Sequence, residues 1–240
     1  MDTTTDGFLD NAFRIVQPKR GGHRAGLDAV LLAATVPAMP DETVADFGSG
    51  SGAAGLAVAQ RCAGVRVLLI ENEPTMARFA RETLALAANA PLAPRLRLHE
   101  ADALAPLPAP VHHAIANPPY NDAARQPSPS ALKAHAHQGD DLLRWLDAML
   151  AALHPGGSAT MILRPDALPP LIERAAKSGR TTILPVTAKP DTAPIRALLR
   201  VVAGTVGPTT HLPPIVVHKV QGPFTDEVEA ILRGRASIAL

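Results

Sequence analysis

Thr43-Val44-Ala45-Asp46-Phe47-Gly48-Ser49-Gly50-Ser51-Gly52-Ala53 is the stretch on which the fold of this chain turns. Residues 43–47 are mostly apolar and short, the pattern of a buried strand, and residues 53–61 continue with helical spacing. Between them, glycines permit a tight turn and let a ligand approach the backbone closely. Gly48, Gly50 and Ala53 satisfy the loose dinucleotide pattern G-x-G-x-x-A, which alone is a weak signal. Asp46 argues against a dinucleotide. A carboxylate two residues before the first glycine repels a pyrophosphate and attracts an ammonium group.

Working outward, apolar runs alternate with helical patterns, which points to a parallel α/β sheet with helices on both faces. Strands are expected at 65–70, 96–98, 112–116, 158–163, 181–186 and 195–202, with a short edge strand at 215–218. Helices are expected at 75–88, 142–153, 168–176 and 225–233, the second stopped by His154-Pro155-Gly156-Gly157. Residues 121–138 hold two prolines and no convincing strand, and read as a functional loop that turns helical late. The chain divides into a basic N-terminal extension with a first helix (1–40) and a main domain (41–240), forming one compact unit.

Composition narrows the functional classes. With 47% apolar and only 19% charged residues, wholesale disorder is excluded. A net charge of +1 means that any nucleic-acid contact must come from local patches. The single cysteine, Cys62, rules out an intrachain disulfide and a cysteine-based metal site. No run of apolar residues is long enough for a membrane span. The opening MDTTTDGFLDN lacks the basic start and apolar core of a signal peptide, so a cytoplasmic location is expected.

Glu71 ends the second strand of the main domain about 20 residues beyond the glycines, the spacing at which an acid can accept both hydroxyls of a nucleoside ribose. Asp102-Ala103 follow the next strand, where Asp102 serves equally as a helix cap. The spacing Asp-x-Gly-x-Gly-x-Gly from Asp46 to Gly52 resembles the first motif of Rossmann-like methyltransferases. That resemblance implies S-adenosylmethionine as cofactor and a mostly parallel seven-stranded sheet. It places Asp46, Gly48, Gly50, Gly52, Glu71, Asp102 and Ala103 around the cofactor, with Asp102 at its adenine.

Asn117-Pro118-Pro119-Tyr120 resembles the motif of methyltransferases that modify amino groups on planar systems. An exocyclic amine is a poor nucleophile because its lone pair is delocalised. Acceptors at the Asn117 amide and the Pro118 carbonyl aim that lone pair and stabilise the charge that develops on transfer. Pro118 and Pro119 stiffen the backbone, Tyr120 is suited to stack on a flipped base, and Asn117 also borders the cofactor. Pyrimidine C5 methylation needs a cysteine here, and Cys62 lies far earlier in the chain.

Gln17-Pro18-Lys19-Arg20-Gly21-Gly22-His23-Arg24-Ala25-Gly26-Leu27-Asp28-Ala29-Val30-Leu31-Leu32-Ala33 is the most discriminating block. Together with the other motifs it resembles the bacterial tRNA(Val) adenine-N6 methyltransferases, nearly along the whole chain. The resemblance implies N6 methylation of a tRNA adenine. Asp28 reads either as an N-cap or as part of a helix start placed over the cofactor. Lys19, Arg20, His23 and Arg24, with Arg125 and Lys133 after the catalytic motif, are candidate RNA contacts; a solvated loop explains the first four almost as well. His135-Ala136-His137 is read as solvated or RNA-facing, and no metal is expected. The same Asn-Pro-Pro-Tyr chemistry serves N5-glutamine methylation of release factors and N2-guanine methylation of ribosomal RNA. A binding protein with a vestigial cofactor site is a further alternative.

Overall fold

In the computed structural model, residues 2–19, 24–119 and 130–240 are described, with residues 130–140 described by backbone alone. The core strands are β3 (Thr43–Phe47), β4 (Arg66–Ile70), β5 (Leu96–His99), β6 (Val111–Ala116), β7 (Leu153–Leu163), β8 (Gly179–Thr187) and β9 (Pro194–Ala203). Two-residue strands β10 (Thr210–His211) and β11 (Ile215–Val216) both pair with β8, giving a nine-stranded sheet among the described residues. Its order is β10-β8-β9-β7-β6-β3-β4-β5, and only β9 runs antiparallel to its neighbours. The expected mostly parallel seven-stranded sheet is thus present, extended at one edge.

Strands buried on both faces read as continuous apolar runs because helices cover both sides. Helices α1 (Leu27–Ala34), α2 (Ala53–Arg61) and α6 (Asp226–Leu232) pack on one face with Val44, Leu69 and Ile115. Helices α4 (Ser130–Ala151) and α5 (Leu168–Ala176) cover the other, where Leu142, Leu146 and Met149 meet Phe47 and Met161. Among the described residues, no helix is long and apolar enough to cross a membrane.

Several boundaries differ from the sequence expectation for identifiable reasons. Residues 130–138, the late part of the expected loop and the part expected to turn helical, lie within α4. Ala131, Leu132, Lys133, Ala134 and Ala136 are strong helix formers, and only the prolines before them gave the window its loop character. Residues 121–129 of that expected loop lie outside the described residues. Helix α4 ends at Ala151, and residues 153–157 already belong to β7, with a register shift between Val111 and His113 on β6. Helix α3 spans Pro74–Leu84 and stops short of residue 88. There Asn89 donates to the carbonyls of Arg14 and Thr83, diverting the chain.

The N-terminal residues form an unexpected hairpin, β1 (Thr3–Phe8) with β2 (Phe13–Pro18), turning through Leu9, Asp10 and Asn11 at positive φ. Val16 N–H donates to Thr83 Oγ1 at 2.9 Å, and Arg14 N–H to Asn89 Oδ1 at 2.9 Å, which fixes β2 against α3 and the turn after it. The two ends of the chain are clasped. Asp10 pairs with Arg233 and Arg235, and Ile238 N–H donates to the Ala34 carbonyl at the end of α1.

Candidate active site

β3 lies between β6 and β4, all parallel, so the turn after it opens at the carboxyl edge of the sheet where strand neighbours also end. Gly48 has φ +63°, and a Cβ there would come within 2.5 Å of the Trp145 ring. Gly50, at φ +57°, faces the Met76 methyl. No other residue gives that turn both its left-handed backbone and its closeness to neighbours.

Two carboxylates hold the turn. Asp46 is 2% exposed, and its Oδ2 accepts from Gly55 N–H at 2.9 Å in the first turn of α2. Burial pushes its carboxyl up to about 7, with repulsion from Glu71 adding to the shift and the Gly55 bond opposing it. Glu71 accepts from Gly50 N–H and Glu73 N–H, both at 2.8 Å, one on each oxygen. Each oxygen keeps a lone pair for a further donor. Glu71 is therefore aimed from β4 at the same turn that Asp46 supports from β3.

The register Phe47↔Ala116 sets Asn117 level with Gly48 on the neighbouring strand. The Asn117 amide oxygen is buried and has no hydrogen-bond partner among the described residues, and Ser49 Oγ is in the same state. Both residues line a cleft together with Asp46, Gly50, Ala29 and Met76. Buried polar groups are seldom left unpaired, so two such atoms facing one cleft mark a place for a polar ligand. An ammonium group fits beside Asp46, and a diol beside Glu71. The residues present thus suit S-adenosylmethionine.

The expected residues fall into three sets. Asp46, Gly48, Gly50 and Asn117 meet at the cleft, Gly52 closes the turn as N-cap of α2, and Glu71 bonds to the turn directly. Pro118 is buried and Pro119 exposed beyond Asn117. Asp102, exposed, accepts from Leu104 N–H at 2.9 Å, while Ala103 is buried. Asp28 does not cap α1: the helix starts at Leu27 from Gly26, and Asp28 Oδ2 accepts from Arg196 Nε at 2.8 Å. Arg24 is turned onto Asp6, Thr4 and the Pro18 carbonyl, and Lys19 is exposed. Arg20, His23, Tyr120 and Arg125 lie outside the described residues, as does the side chain of Lys133. Sequence reasoning missed Ser49, Met76, Ala25 and Ala29. Of these only Ser49 carried a signal, as the polar residue between two glycines.

Residues 24–145 match the family described as methyltransferase small domain. A Shewanella loihica protein named tRNA1(Val) (adenine(37)-N6)-methyltransferase is 34% identical over 193 residues, covering 74% of this chain and 76% of that one. A Shewanella baltica protein of the same name is 28% identical over 226 residues, 88% and 91% of the two chains. Among solved structures, a predicted O-methyltransferase from Agrobacterium tumefaciens matches with TM-score 0.75 and 30% identity, over 89% of this chain and 99% of that one. A Thermus thermophilus 16S rRNA N2 G1207 methyltransferase, solved with AdoMet and guanosine, matches with TM-score 0.58 and 19% identity over 85% and 50%, a likeness of fold.

Proposed function

The chain belongs to the methyltransferase small-domain family that includes the tRNA1(Val) adenine-N6 methyltransferases, and from that premise we propose that it methylates the exocyclic N6 amino group of an adenine in tRNA. It is an S-adenosylmethionine-dependent N-methyltransferase. The finer target, adenine 37 of a valine tRNA, follows the names of its relatives.

The observation that carries the reading is the unpartnered, buried Asn117 oxygen beside Gly48. An amide oxygen is a neutral acceptor. It can receive an N–H from an amine that keeps its protons until transfer, whereas a hydroxyl acceptor needs a base to remove its proton first. Asn117 and the following Pro118 carbonyl each accept one N–H, which turns the nitrogen's lone pair out of conjugation and toward the cleft. Tyr120 is assigned to stacking on the base and Lys19, Arg20, His23, Arg24, Arg125 and Lys133 to the RNA backbone. Asp46 holds the cofactor's ammonium end, Glu71 its ribose, and Asp102 with Ala103 its adenine; Asp28 supports the wall formed by α1. S-adenosylmethionine supplies the methyl group as an electrophile on a cationic sulfur. The surplus proton on the product nitrogen passes to water, so no strong base is required.

Labelled methyl transfer to total tRNA from cells lacking this protein tests the reading. Labelled N6-methyladenosine after digestion, lost with Asn117→Ala, is expected. Absence of label in tRNA, with label in ribosomal RNA or in a release factor, would sink it.

A further inference from the structure

The transfer chemistry and the cleft turn use neither Gln17 nor Ala25, both within the most discriminating block. Gln17 and Arg24 are engaged elsewhere. Gln17 is 2% exposed. Its Oε1 accepts from Ala25 N–H at 2.9 Å, and its Nε2 donates to Asp6 Oδ2 at 2.5 Å. The orientation of that amide is settled by its neighbours, since a backbone N–H can only donate and a carboxylate only accept. The same Asp6 oxygen accepts from Arg24 Nη2 at 2.6 Å and from Thr4 Oγ1 at 3.1 Å. Arg24 also donates to the Pro18 carbonyl at 2.5 Å.

Ala25 lies on the wall of the cofactor cleft, with Ala29 one turn into α1. Gly26, the N-cap of that helix, offers no capping side chain. A helix entry without a cap must be held by something else, and here the grip is Gln17 on Ala25, one residue upstream. Asp6 is kept ionised for this purpose. Burial pushes its carboxyl up, but bonds from Gln17, Thr4 and Arg24 bring it below its ordinary value.

We infer that Gln17, oriented by Asp6 and Arg24, is a positioning residue for the cofactor, fixing Ala25 and the entry of α1 so that this wall of the cleft stands at the right distance. The inference rests on cofactor binding and is independent of which amine is methylated.

Calorimetric titration of the full chain with S-adenosylhomocysteine provides the test. Gln17→Glu keeps an acceptor for Ala25 but sets a second carboxylate against Asp6, and weakens binding about tenfold, the size expected for one compromised buried hydrogen bond. Gln17→Met fills the space without hydrogen bonds and carries the same expected loss if Gln17→Glu does not fold. Asp10→Ala removes the hairpin's ion pairs with Arg233 and Arg235 and leaves affinity at the parent value, which separates positioning of Ala25 from general anchoring of the hairpin. Parent affinity in both Gln17 variants would overturn the inference. A parent chain that bound no S-adenosylhomocysteine would overturn the cofactor assignment beneath it as well.

Discussion

Asn117 lines the cleft, and its buried amide oxygen has no donor among the described residues. Replacing it by alanine removes an acceptor that matters only when an amine is present. Expected is a fall in kcat of about 10²–10³, typical for one lost stabilising group in an acyl- or group-transfer site, with S-adenosylhomocysteine affinity unchanged by calorimetry. Asp46 makes a different prediction. Its carboxyl titrates near 7, mainly because it is buried, while a cofactor ammonium needs it ionised. Cofactor affinity is therefore at its plateau above pH 7 and falls by about tenfold per unit below it. Asp46→Asn flattens that profile. For folding the sign is opposite: a carboxyl raised above its ordinary 3.8 contributes stability that is complete below that value and fades as pH rises through about 7. Asp46, Glu71 and Asn117 were legible in the sequence because charge and amide chemistry at a glycine turn have few other uses. Ala25 and Ala29 were not, since a methyl group on a cleft wall has no chemical signature.

At the scale of the element, the turn after β3 is shaped by what presses on it from α4. Gly48→Ala places a methyl 2.5 Å from the Trp145 ring on a backbone at φ +63°. The cost is about 1–3 kcal/mol from overpacking and left-handed strain, measured as a lowered urea midpoint. Trimming Trp145 to leucine in that background recovers the steric part and leaves the backbone part. Helices α2 and α5 were readable to their ends because apolar spacing marks them. The β1–β2 hairpin was not. Its first strand is Thr3-Thr4-Thr5-Asp6-Gly7-Phe8 and its turn is Leu9-Asp10-Asn11, so little apolar alternation announces it. What holds it is distant, Thr83 and Asn89, and local pattern cannot show partners so far along the chain.

For the whole molecule, stability depends on the opposite edge of the sheet from the cleft. Arg200 Nη2 donates to Ser158 Oγ at 3.2 Å, and Ser158 lies 2.8 Å from His113 Nδ1. His113 Nε2 is 3.2 Å from Glu42 Oε2. A carboxylate can only accept, so the imidazole donates to Glu42 through Nε2, and the neutral ring accepts the serine proton at Nδ1. This relay joins β9, β7 and β6 to the residue before β3, and it requires neutral His113. Burial lowers that imidazole below its ordinary 6.5, with Arg200 and His112 acting the same way against Glu42. The His113–Glu42 contact is then a hydrogen bond rather than an ion pair. A histidine lowered by folding gives stability that is present above 6.5 and lost as pH falls from there. Asp46 acts with the opposite sign over the same window, so the check is the difference between variants: on acidification from pH 7 to 5 the parent should lose melting temperature relative to His113→Asn, which should itself be less stable at pH 7.

The clasp between chain ends carries a consequence for biosynthesis. The last turn of α1 waits for Ile238, and the hairpin turn at Asp10 waits for Arg233 and Arg235, which lie 223 and 225 residues further on. On a ribosome adding roughly 5–20 residues per second, that is a delay on the order of 10–40 s. Until those residues are made, the last turn of α1 lacks its bond from Ile238 and the hairpin turn lacks its ion pairs. The clasp therefore closes only after every strand among the described residues has been made.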